Sequence, residues 1–275
     1  MLHEKFVLDE RYPDCTLTTY VNDDSPELKM PPRPALVICP GGGYRFCSER
    51  EAEPVAMFYL NGGLNVFILR YSVKENASNF KPLIEAALAI KHVRENAEKY
   101  NIDPDRVFIG GFSAGGHLSA SAGVLWNIPQ VRAALGDCPE GINRPTGMIL
   151  CYPVISSGPK SHKGSIANLC GSADATDEER LVYSIDKHVD KDSSPAFIWH
   201  TFNDGTVPVE NSLLIASALR ENGVPFELHI YPDGPHGLSL CNEQTCSARA
   251  AMVNPTAATW AQHSLNWIRS FAAKK

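Results

Sequence analysis

The sequence predicts an α/β fold built on a mostly parallel central sheet with helices on both faces. Two observations carry this expectation. Strand-like, largely apolar stretches recur at 35–39, 65–71, 107–109, 147–152, 196–201 and 225–231, and those at 35–39 and 107–109 are apolar throughout. Segments of helical periodicity lie between them, the clearest at 80–100, where Leu83, Ala86, Ala87, Ile90, Val93 and Ala97 form one stripe. Apolar runs without alternation suit strands buried on both faces. Strands that alternate with helices pair in parallel, through right-handed crossovers. At 275 residues the chain is long enough for a sizeable core, and one domain over 1–275 is expected.

Each element has its own signal. Residues 1–34 read as short strands and turns: 15–21 alternates like a half-buried antiparallel edge strand, and 25–34, with four prolines, is a connection. The run at 35–39 ends in Pro40-Gly41-Gly42-Gly43-Tyr44. A helix over 48–60 follows from a capping-box pattern, Ser48 with Glu51 three residues on, and is stopped by Asn61-Gly62-Gly63. After the helix at 80–100, Asp103-Pro104-Asp105 turns the chain into the strand at 107–109, and a helix over 114–126 follows. Residues 155–195 break the rhythm, being polar and irregular. They read as a cap insertion near the site, with a short helix opened by a capping box of Thr176 and Glu179. Helices over 209–222 and 255–272 flank the last strand.

Composition excludes several classes. The net charge is −6 with no run of Lys or Arg, which argues against a general nucleic-acid binder. No stretch of 18 or more apolar residues occurs, so no membrane span is expected. Residues 1–10 lack the apolar core of a secretion signal, and a cytoplasmic location is the expectation. None of the eight cysteines lies in a C-x-x-C pair, so they are expected to be reduced and to pack as small apolar groups. Metal-ligand spacings are missing, and neither a metal nor a cofactor is expected. The sequence does not set the oligomeric state, and a homo-oligomer is compatible with it.

The chemistry centres on Gly111-Phe112-Ser113-Ala114-Gly115, a G-x-S-x-G motif between an apolar strand and a helix rich in small residues. A serine on so sharp a turn has its hydroxyl lifted clear of the backbone. The N–H of Ala114, at the helix N-terminus, then faces whatever the serine attacks. A serine hydroxyl is a poor nucleophile at neutral pH and needs a base, itself oriented by a third group. In open α/β sheets such groups collect at the carboxyl ends of strands. Of nine histidines, His236 fits best, in the tight loop after the last strand. His200 and His229 lie within strand runs, and His117 sits one helical turn after Ser113, where it suits a supporting role better than that of base. Asp204 follows the strand at 196–201; its rival Asp233 reads as a turn residue. The order Ser113, Asp204, His236 is that of α/β-hydrolases. Gly42 and Gly43, after the strand at 35–39, are the expected oxyanion donors together with Ala114.

Four blocks together carry a resemblance: Pro40-Gly41-Gly42-Gly43-Tyr44, the stretch from Gly110 to Leu118, the stretch from Trp199 to Asp204 with Val207 to Asn211, and Pro235-His236-Gly237-Leu238. From about residue 35 onward the chain resembles bacterial α/β-hydrolase esterases of the acetyl xylan esterase and feruloyl-esterase-like (BD-FAE-like) group. It has Pro40 where the lipase-type loop has histidine. The resemblance implies an enzyme that releases small acyl groups, chiefly acetyl, from sugar hydroxyls of xylan fragments or similar glycosides. Ser113 is then the nucleophile, Asp204 and His236 complete the triad, and the glycine loop is the oxyanion hole. Tyr44, Arg45 and Trp199 are candidates for sugar contacts, against packing for the two aromatics and simple solvation for Arg45. The same scaffold also serves formamidases, peptidases and, in principle, non-catalytic binding proteins.

Overall fold

The computed structural model describes residues 1–271. Eight strands form one sheet: β1 (Lys5–Val7), β2 (Thr16–Tyr20), β3 (Arg33–Cys39), β4 (Asn65–Arg70), β5 (Ile102–Phe112), β6 (Met148–Cys151), β7 (Ala196–Thr201) and β8 (Phe226–Tyr231). Their order is β1-β2-β4-β3-β5-β6-β7-β8. From β4 to β8 every pair is parallel, while β1 with β2 and β2 with β4 are antiparallel. The expected antiparallel edge is therefore present. Strands β3, β6 and β7 are buried along their whole length, as suits their mainly apolar sequences.

Helices cover both faces. They are α1 (Glu53–Asn61), α2 (Lys81–Glu95), α3 (Ala114–Val124), α4 (Pro129–Leu135), α5 (Lys163–Cys170), α6 (Asp177–Leu181), α7 (Glu210–Glu221) and α8 (Pro255–Ser270). Two clusters of buried side chains, one on each face, form the core; Phe67, Ile90 and Ile198 belong to one, and Phe108, Trp199 and Trp260 to the other. No helix among the described residues is long and apolar enough to cross a membrane.

Several boundaries differ from expectation. Asp103-Pro104-Asp105 does not end in a turn but stays extended inside β5. The pairing jumps from Arg33 with Ile102 to Ala35 with Val107, so a bulge absorbs the proline that cannot donate to the ladder. Helix α2 stops at Glu95, where the Asn96 amide donates to the His92 carbonyl at 2.8 Å and competes with the next turn. Ser48 and Glu51 form no capping box; a single 3-10 turn occupies Glu49–Glu51, and α1 begins only at Glu53, with proline in its first turn. The box at Thr176 is formed in both directions. Helix α5 lies within 155–195 and was not expected, because its cap is the His162 side chain rather than a Ser, Thr, Asp or Asn. The closing helix was expected to reach Ala272, which lies outside the described residues.

Candidate active site

Strand β5 delivers Ser113 to a sharp turn before α3. Ser113 has φ 54° and ψ −116°, a backbone that side chains rarely adopt. Two glycines make the turn sterically feasible. A Cβ on Gly111 would stand 2.1 Å from the Gly115 carbonyl oxygen, and one on Gly115 would stand 2.0 Å from that of Cys39. The neighbouring strand and loop hold the turn on both sides: Ser113 N–H donates to the Cys151 carbonyl at 2.9 Å, and Val154 N–H donates to the Ser113 carbonyl at 3.1 Å.

The three residues singled out from the sequence meet here. His236 Nε2 is 2.8 Å from Ser113 Oγ, and His236 Nδ1 is 2.6 Å from Asp204 Oδ2. With Nδ1–H donating to the carboxylate, Nε2 presents its lone pair to the serine hydroxyl. The Asp204 side chain is fully buried. Burial alone raises its pKa, but hydrogen bonds from His200, His236 and Val207 outweigh burial and hold it well below the ordinary carboxylate range. Its Oδ1 accepts from Thr206 N–H at 2.8 Å and Val207 N–H at 2.9 Å.

His200 was read as a strand residue and is one, yet its ring reaches Asp204. Its Nε2 lies 2.9 Å from the Val207 carbonyl and 3.3 Å from Asp204 Oδ2, and its Nδ1 lies 2.8 Å from Ser212 Oγ. Two acceptors at Nε2 put the proton there, so Nδ1 accepts from the serine. Asp233 accepts from the Asn203 amide, and Asn203 Oδ1 accepts from Gly234 N–H at 2.8 Å. The rival acid thus ties down the loop that carries His236.

The glycine loop is held from behind by its carbonyls. Tyr71 O–H donates to the Pro40 carbonyl at 2.6 Å, Ser48 N–H to Gly41 at 2.9 Å, Arg45 N–H to Gly42 at 3.0 Å, and the Asn168 amide of α5 to Gly43 at 2.8 Å. Gly41 N–H donates to Glu51 Oε2 at 2.8 Å. Among the described residues, the N–H groups of Gly42, Gly43 and Ala114 donate to no protein acceptor. Gly42 (φ 132°) and Gly43 (φ 66°) both need glycine's conformational freedom.

A cleft of about 240 Å³ opens over this group, lined by Gly42, Gly43, Ser113, His162 and His236, with Arg45 and Phe46 at its rim. His162 enters the cleft from the segment at 155–195. Its pKa is lowered first by burial, then by the nearby His236 and Arg45. Of the expected sugar contacts only Arg45 is at the cleft surface. Tyr44 is 1% exposed, and its hydroxyl is 2.9 Å from Nδ1 of the equally buried His117. Trp199 is 0% exposed and stacks on Trp260 at 5.1 Å. Both belong to the core, which corrects the expectation; in a strand buried on both faces an indole has no surface to offer a ligand. Among the described residues no group of three or more His, Cys, Asp or Glu side chains could hold a metal.

A serine hydrogen-bonded to an imidazole, an ionised acid behind it and unpaired N–H groups beside it can carry out acyl transfer. The sheet order and this arrangement of residues are those of an α/β hydrolase. The chain belongs to the BD-FAE family, whose model matches residues 24–219. It is 40% identical over 215 residues to endo-1,4-beta-xylanase B of Butyrivibrio fibrisolvens, and that match covers 77% of this chain and 33% of the relative. It is 34% identical over 211 residues to the acetylxylan esterase of Xylanibacter ruminicola, covering 75% of this chain and 41% of the relative. The chain therefore spans less than half the length of these two curated relatives. Among solved structures it is similar to the acetyl ester-xyloside bifunctional hydrolase of Caldicellulosiruptor lactoaceticus, with TM-score 0.78 and 35% identity over 93% of this chain and 88% of that one.

Proposed function

We propose that the protein is a serine carboxylesterase that removes small acyl groups, chiefly acetyl, from sugar hydroxyls such as those of acetylated xylan fragments. The observation that carries this reading is the Ser113–His236–Asp204 relay, opening on a cleft beside the unpaired N–H groups of the glycine loop. Ser113 Oγ attacks the ester carbonyl while His236 Nε2 takes its proton. The tetrahedral oxyanion is held by Gly42, Gly43 and Ala114 N–H groups. His236 returns the proton to the departing sugar oxygen, leaving an acyl-serine. Water, deprotonated by the same nitrogen, then releases the acid and restores the hydroxyl. Asp204, kept ionised, stabilises the imidazolium formed in each half.

The sugar preference is supported by two relatives named for xylan and by a structural neighbour named for acetyl esters and xylosides. Residues 155–195 act as a cap on a single domain and bring His162 to the cleft wall with Arg45. Two measurements test this reading: labelling of Ser113 by a fluorophosphonate, and acetate release from acetylated xylo-oligosaccharides compared with p-nitrophenyl acetate. Labelling and release from both substrates are the expected results. No labelling would remove the esterase; labelling with slow release from the sugars would point to another ester.

A further inference from the structure

Glu51 is a carboxylate in an unusual place. It is 4% exposed, closes the 3-10 turn that stands where the cap was expected, and accepts from Gly41 and Tyr152. Both of its oxygens are used as acceptors. Oε2 takes the Gly41 N–H at 2.8 Å, and Oε1 takes the Tyr152 O–H at 2.7 Å. Tyr152 in turn accepts from Ser239 N–H at 2.9 Å, and its ring meets the His236 ring edge-on at 5.1 Å. Tyr152 is itself 2% exposed with φ 36°, so its position is not a relaxed one. Glu51 and Tyr152 together thus link two loops: the one with the unpaired N–H donors, through Gly41, and the one with the imidazole, through Ser239 and the ring contact. The fit is tight. A Cβ on Gly41 would lie 2.6 Å from Glu51 Oε2 and 3.2 Å from Ser113 Cβ.

We infer that Glu51 is a positioning residue for acyl transfer, holding the glycine loop through Gly41 and the His236 loop through Tyr152. This rests on the esterase reading above. By engaging Gly41 N–H, Glu51 leaves Gly42 and Gly43 as the donors that face the cleft. By engaging Tyr152 O–H, it fixes the ring against which His236 packs. A glutamine cannot replace it. With its carbonyl oxygen on Gly41 N–H, its NH₂ stands where Oε1 accepted, and the Tyr152 O–H loses that acceptor; turned the other way, Gly41 N–H loses its own.

The test is Glu51→Gln, with Tyr152→Phe as the second variant. Each is compared with wild type for kcat, KM, thermal unfolding and inhibition by an acetyl-sized trifluoromethyl ketone, which forms the oxyanion adduct on serine. For Glu51→Gln the expected result is KM within about twofold and kcat lower by about 10²-fold, the size of effect that a 1 Å misplacement produces. The ketone should bind more weakly by a similar factor, because it needs the same donors. Tyr152→Phe keeps the Gly41 bond, so a smaller fall in kcat is expected, with less change in ketone affinity. A Glu51→Gln protein with wild-type kcat and ketone affinity overturns the inference. So does one whose unfolding temperature falls while kcat and ketone affinity, measured on the folded fraction, do not. If Glu51→Gln does not fold, wild-type kcat in Tyr152→Phe overturns it. Wild-type protein inert to both p-nitrophenyl acetate and fluorophosphonate overturns the esterase reading as well, whereas an active wild type with an unimpaired Glu51→Gln overturns this inference alone.

Discussion

At the scale of single residues, the site is a set of protons with assigned owners. Ser113 donates to His236, His236 to Asp204, and Asp204 also receives two backbone N–H groups and the His200 ring. Replacing Ser113 by alanine removes the nucleophile and should lower kcat by about 10⁶-fold, leaving a remnant due to binding and the oxyanion donors. Steady-state hydrolysis of p-nitrophenyl acetate checks it, and activity near wild type would require another nucleophile. His200→Phe withdraws one donor from a buried carboxylate. It should reduce kcat by about tenfold, since a hydrogen bond to a charged group contributes about 1.5–3 kcal/mol and only part of that is felt in the transition state. That Ser113, Asp204 and His236 would meet was legible in the sequence, because each lies past the carboxyl end of a strand. His200 and Glu51 were not. A histidine inside an apolar strand carries no sign of which carboxylate its ring will reach. Glu51 also satisfied a local helix-start pattern, and a tertiary contact then took the carboxylate that the pattern had spoken for.

At the scale of elements, strand β5 and helix α3 matter most. The turn between them is pressed against β3 at glycine 115, whose added methyl would meet the Cys39 carbonyl at 2.0 Å. Gly115→Ala should destabilise the protein by about 3 kcal/mol or more, as overpacking against rigid backbone does. Denaturant unfolding measures this, and a loss below about 1 kcal/mol would mean that β3 yields more readily than the geometry implies. Helix α2 carries another testable group. Glu85 is 0% exposed and bonds the backbone and hydroxyl of Ser72. Burial, partly offset by those bonds, pushes its pKa up to about 7. A carboxyl whose folded pKa lies above its unfolded one holds its proton more tightly in the native state. Its contribution is full below the unfolded value and is lost as pH rises through the folded one. Between about pH 4.5 and pH 7 this group should make stability fall by roughly 3 kcal/mol. Glu85→Gln should flatten that part of the stability–pH curve, and an unchanged slope would show that Glu85 does not titrate there.

At the scale of the whole molecule, protection should follow the sheet from its centre outward. Strands β3, β6 and β7 are buried throughout, whereas β8 is half-buried along most of its length and β1 has only one buried-side residue of three partly covered. Native-state hydrogen exchange should therefore be slowest in β3, β5, β6 and β7 and faster in β1 and β8. Equal rates across the sheet would contradict this ranking. The overall architecture was legible because the buried central strands are mainly apolar and alternate along the chain with helical patterns. The segment at 155–195 was legible only in part. Its capping box was visible, but α5 begins on a histidine cap, which no composition rule flags, and its contact with the glycine loop through Asn168 depends on how the chain returns.

The glycine loop has one more consequence, for how such a protein can change. A side chain at Gly42 would collide with the Phe46 carbonyl at 2.0 Å, and Gly41 is boxed in by Glu51 and Phe112. Arg45 and Phe46, a few residues on, are exposed at the cleft rim, with Phe46 at 53%. Within one short loop, then, lie positions closed to variation and positions open to it. On the proposed function, engineering a new substrate range has room at the rim and almost none at the glycines, so the acid and the alcohol released could be retuned without touching the groups proposed to stabilise the charge between them.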